Sequence, residues 1–69
     1  MKLSARNVLQ GKVIRLVPGA VNAEVTLQLT GGEQIVAIIT NASVASLGLE
    51  VGKIAYAVIK ASSVMVAVD

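Results

Sequence analysis

Residues 21–49 read VNAEVTLQLTGGEQIVAIITNASVASLGL, and the fold turns on this stretch. Its first part alternates. Val21, Ala23, Val25, Leu27 and Leu29 share one parity, and Asn22, Glu24, Thr26 and Gln28 share the other. Successive strand residues face opposite sides, so this is a half-buried strand. TGGE follows, and the Gly31-Gly32 pair suits the positive φ angles of a tight hairpin. The return strand runs from Glu33 to Thr40 with apolar residues on both parities, Ile35, Ala37 and Ile39 against Val36 and Ile38. A strand buried on both faces in so short a chain predicts a partner subunit. The period then changes. Val44, Leu47 and Gly48 stand at helical spacing, with Thr40 or Asn41 as N-cap and Gly48 as the stop.

Working outward, residues 7–17 read as the first strand, broken at VPGA, where Pro18 stops the ladder and Gly19 turns. Downstream, Gly52 opens a turn, and IAYAVIKA (54–61) and SVMVAV (63–68) read as two strands broken at Ala61-Ser62. The order β-β-β-α-β-β predicts an all-β protein: a five-stranded OB-like Greek-key barrel with one short helix between strands 3 and 4. Residues 1–69 form one domain, with no linker and no internal repeat.

Composition bounds the surroundings. The chain has 69 residues, 55% of them hydrophobic, and a mean hydropathy of +0.79. A chain this short buries only about 60% of its unfolded surface, so the apolar excess must meet a membrane or other chains. The longest uncharged run, residues 34–49, carries Gln34, Thr40, Asn41, Ser43, Ser46 and Gly48. That does not make a span of about 20 apolar residues. Lys2, Arg6, Lys12 and Arg15 interrupt any leader core. A homo-oligomer without a membrane partner is the expectation. Absence of cysteine removes any disulfide framework and favours the cytoplasm.

The same inventory narrows the chemistry. With no His, no Cys, and carboxylates scattered at Glu24, Glu33, Glu50 and Asp69, no metal-cation site is expected. The net charge of +2 is spread rather than blocked. Tyr56 is the sole aromatic residue, so there is no stacking platform for single-stranded nucleic acid, the usual alternative for an OB-like barrel. Lys60 and Ser62 stand at alternate strand positions without a third group to orient them, so no enzyme is expected.

What remains is a set of segments rich in hydrogen-bond donors and poor in carboxylate. SARN (4–7) and KASS (60–63) combine a guanidinium, an ammonium and neutral donors around small residues. GAVNAEV (19–25) offers small residues and an amide, and ITNAS (39–43) places Thr40, Asn41 and Ser43 at a helix start. Backbone N–H groups beside small residues form concave anion nests. Taken one at a time, each segment also reads as a solvated charge, a turn or a cap.

Together, SARNVLQGKV, GAVNAEVTLQL, AIITNASVASLGL and AYAVIKASSVMVAV resemble the molbindins, the small Mop proteins built from a single TOBE-type molybdate-binding domain. The likeness runs from Leu3 to Asp69 with the motifs in order. It implies an OB-like barrel assembled as a homohexamer, a trimer of dimers, that binds molybdate or tungstate at subunit interfaces in the cytoplasm. It implies no organic cofactor, and the pterin of the family's name finds no aromatic clamp in this sequence. One implied site joins SARN of one chain to KASS of another: Ser4, Arg6, Asn7, Lys60, Ala61 and Ser62. A second uses the GAVNA turn and the helix start: Gly19, Ala20, Val21, Asn22 and Ala23, with Thr40 and Ser43. Storage or buffering of the oxyanion is the expected role. A stand-alone regulatory or transport-accessory sensor is the alternative, followed by a single-strand nucleic-acid binder.

Overall fold

β1 (Asn7–Pro18) is the strand around which the rest is organised, in a computed structural model that describes residues 1–69. Its first half pairs antiparallel with β4 (Ile54–Ile59), and its second half pairs antiparallel with β2 (Asn22–Leu29). Gly11 lies where the halves overlap, opposite both Leu29 and Ala55. A Cβ there would stand 2.9 Å from the Gln28 carbonyl oxygen, so only glycine lets β1 and β2 approach this closely. The β1–β2 register then slips between Val13 and Arg15. This bulge adds twist to a long strand shared by two partners, and the reading of residues 7–17 as one strand did not disclose it.

β3 (Gln34–Thr40) returns along β2 after a turn in which Gly32 has φ 96°. Helix α1 (Asn41–Leu47) follows. Thr40 caps it, its side chain accepting from the Ser43 N–H, and Gly48 closes it in the left-handed conformation at φ 62°. Lys53 Nζ donates to the carbonyls of Leu47 and Gly48, where a cation suits the end of the helix. The sheet order is β3-β2-β1-β4. Three hairpin-connected strands, with the fourth returning beside the first, make a Greek key. The predominance of antiparallel β-structure, the order of the first four strands and the helix between strands 3 and 4 match the expectation.

The predicted fifth strand does not form within the chain. After β4 comes a 3-10 turn at Ala61–Ser63, and residues 64–69 pair with no strand. Met65, Val66 and Val68 are 94%, 90% and 93% exposed. The turn interrupts the ladder, and the tail finds no edge of its own chain beside it. β3 and β4 therefore remain free edges of an unclosed, curled sheet.

The core is small. Val13, Val25 and Leu27 are buried, and Leu16, Ile39, Val44, Leu49, Ala55 and Ala57 pack against them. Each fully buried Val or Leu stabilises by about 1.5–3 kcal/mol. Thr26, on the parity expected to be polar and solvated, is also buried. Elsewhere apolar groups stay open. A groove of about 650 Å³ lies along the inner residues of β3 and β4, including Ile35, Ala37, Ile39, Ala55, Ala57 and Ile59. Total accessible surface is 5305 Å², against about 4,000 Å² for a compact monomer of this mass. No helix is long and apolar enough to cross a membrane.

Candidate oxyanion sites

The two ends of the chain meet at one end of the β1–β4 ladder. Asn7 is the register partner of Ile59, and its Nδ2 donates to the Ile59 carbonyl at 3.3 Å. Ser4 and Arg6 precede the ladder, and Lys60, Ala61 and Ser62 follow it, so SARN and KASS flank the same strand ends within a single chain. Arg6, Lys60 and Ser62 are exposed. The 3-10 turn begins at Lys60 with no side chain capping it. Its opening N–H groups are thus left for an outside acceptor, because the first donors of a helical turn have no partner inside it. Ser63 N–H closes the turn on the Lys60 carbonyl at 2.9 Å.

The second cluster lies at the β1–β2 turn. Asn22 pairs in register with Thr40, which carries the turn to the start of α1. Gly19 N–H is used internally, donating to the Asn22 carbonyl at 2.7 Å. A Cβ at Gly19 would meet that same oxygen at 2.7 Å, so the glycine is there for the tightness of the turn. Ala20 and Val21 are exposed residues outside every helix and strand, and their N–H groups make no backbone hydrogen bond. Asn22 is exposed, whereas the Ala23 side chain is only 1% exposed and belongs to the core.

Thr40 and Ser43 are tied to each other. Thr40 Oγ1 accepts from the Ser43 N–H at 3.0 Å and donates to Ser43 Oγ at 2.8 Å. In this arrangement the Ser43 hydroxyl keeps its own proton to donate outward. The sequence marked Asn41 as one of the donors of ITNAS and as a possible cap. Thr40 takes that role, and Asn41 instead donates from Nδ2 to the Gly19 carbonyl at 2.9 Å and from its main-chain N–H to the Val21 carbonyl at 2.8 Å. By residue type asparagine is the better cap, so nothing in the local sequence announced that Thr40 would cap the helix and free Asn41 for the turn.

Both clusters present donors, small residues and no carboxylate, a composition suited to a polyvalent anion. Residues 3–66 match the TOBE domain model. The chain belongs to the TOBE domain family. Among relatives of this TOBE domain, a probable molybdenum-pterin-binding protein of Haemophilus influenzae is 52% identical over 69 residues, covering 100% of each chain. The structure of MopII from Clostridium pasteurianum superposes with a TM-score of 0.92 at 45% identity, covering 97% of this chain and 100% of that one. The cytoplasmic molybdate-binding protein ModG, solved with molybdate bound, gives 0.85 at 56% identity, covering 88% of this chain and 43% of the other. The TOBE domain's likeness to the molbindins is borne out over essentially its whole length.

Proposed function

We propose that this TOBE domain binds molybdate, and tungstate, at interfaces between copies of itself, and serves as a cytoplasmic store or buffer of the oxyanion without catalysing a reaction. The observation that carries this reading is the pairing of two donor-rich, carboxylate-free clusters: Ser4, Arg6, Asn7, Lys60, Ala61 and Ser62 at the ladder end, and the 19–23 turn with Thr40 and Ser43 beside it. The cytoplasmic setting is supported by the description of ModG.

Molybdate is a tetrahedral dianion whose oxygens only accept hydrogen bonds. Removing it from water is costly, and the cost is offset by several fixed donors and a nearby positive group. Arg6 and Lys60 supply the charge at the first cluster, and main-chain N–H groups with Ser43 and Asn22 supply donors at the second. Sulfate is smaller, so donors held apart for molybdate reach it poorly. Phosphate near neutral pH carries a hydroxyl that would face a donor, a repulsive mismatch.

Assembly is supported by surface. The chain exposes roughly 1,300 Å² more than a compact monomer of its size, enough for one interface of about 800 Å² per partner and part of another. A second copy's residues 64–68 entering the open side between β3 and β4 would complete the five-stranded barrel and remove both free edges. A homohexamer built as a trimer of dimers repeats such contacts and encloses anions between subunits. Binding there also stabilises the oligomer, because the ligand engages only the assembled form.

Native mass spectrometry with molybdate, tungstate, sulfate and phosphate tests the proposal. Expected are a hexamer that gains molybdate and tungstate, and little uptake of the other two. A lone chain indifferent to group-six oxyanions overturns it. Arg6→Ala or Lys60→Ala should abolish the ladder-end class and keep the turn class. A full complement of sites by calorimetry in both variants would refute that assignment.

A further inference from the structure

We infer that Asn41 is the positioning residue of the turn cluster: its amide pins the loop of residues 19–22 to the start of α1 and thereby aims the Ala20 N–H outward. The inference rests on the turn cluster being an anion site, as proposed above.

Asn41 holds the loop twice. Its Nδ2 donates to the Gly19 carbonyl at 2.9 Å, and its main-chain N–H donates to the Val21 carbonyl at 2.8 Å. A peptide unit is planar and trans, so its C=O and N–H point in opposite directions. Drawing the Gly19 carbonyl toward Asn41 therefore turns the Ala20 N–H away from it, toward the exposed side of the loop. The Val21 carbonyl fixes the Asn22 peptide unit in the same way. Gly19 N–H, bonded to the Asn22 carbonyl at 2.7 Å, closes the loop on itself and leaves Ala20 and Val21 as its open donors.

The orientation of the Asn41 amide is decided by chemistry. The Gly19 carbonyl only accepts, so the nitrogen must face it. Asn41 Oδ1 is then buried with no donor. A bound oxyanion offers no proton, so this oxygen is not a ligand contact. A buried unpaired acceptor is destabilising, and leucine, of similar size, would relieve that. Stability alone does not account for the asparagine, whereas a donor to Gly19 at a span of 22 residues does.

The test uses the full chain and Asn41→Leu. Amide exchange by NMR in ligand-free protein should show Gly19 exchanging about fivefold faster in the variant, the loss expected for one ordinary hydrogen bond. Thermal stability should change little, because relief of the unpaired Oδ1 offsets the lost bond to the Gly19 carbonyl. Titration with molybdate should show the turn class weakened about five- to tenfold, with the class that depends on Lys60 unchanged. Unaltered Gly19 exchange overturns the inference, as does equal weakening of both classes, which would mark a general structural effect. Wild-type protein that takes up no molybdate overturns the proposed function and the site with it, while exchange at Gly19 still reports whether Asn41 holds the loop.

Discussion

The β1–β2 seam and the β3/β4 edges are made from the same aliphatic residues and meet opposite fates. On the seam, Val13, Val25 and Leu27 are buried, and Gly11 brings the two backbones together. On the edges, Val36 and Ile38 are 57% and 63% exposed, and the inner residues of both strands line an open groove. The contrast teaches that hydrophobicity sets what must be covered, while topology sets what a single chain can cover. A Greek key of four strands covers one side of the sheet and leaves the other side open.

The comparison breaks most directly at Leu27. Leu27→Ala removes a core side chain from the seam and should cost about 2–5 kcal/mol; denaturant unfolding that moves by less than 1 kcal/mol would place the stabilising core elsewhere. The open side is probed next by Val66→Asp. An exposed valine tolerates a charge, so a solvated tail predicts no change, whereas a tail buried in a partner loses about 1.5–3 kcal/mol per contact and the assembly falls to smaller species. Light scattering reads the mass, and an intact oligomer would sink the proposed strand addition. At the seam's crossing, Gly11→Ala forces a Cβ against backbone and should cost about 1–3 kcal/mol, seen as a lowered Tm. Smallest is Gly48→Ala at the helix stop. The left-handed conformation there disfavours a side chain by about 1–2 kcal/mol, and a circular-dichroism melt unchanged from wild type would contradict that geometry.

Much of this was legible in the residues. The strand within 21–29, the turn at TGGE and the cap pair Thr40 and Gly48 each act over a few residues and appear where the pattern put them, although positive φ falls on Gly32 and not on Gly31, and Thr26 is buried. The likeness of SARN and KASS to a known site pattern located residues that do share one end of a ladder. Less visible were the bulge after Val13, the internal use of the Gly19 N–H and the double hold of Asn41 on the turn. Those depend on which carbonyl lies opposite which donor after the strands have paired.

By itself, the sequence determined the local vocabulary: strand parity, turn positions, helix limits, and an apolar content too large for one small core. Those are short-range properties of side-chain size and backbone freedom. Tertiary structure alone decided that residues 64–69 lie outside the sheet, that β3 and β4 keep free edges, and that Asn41 serves a turn 22 residues away. The reason is that hydrogen-bond closure is a property of the assembled backbone: a segment becomes a strand only where another edge is present to receive it.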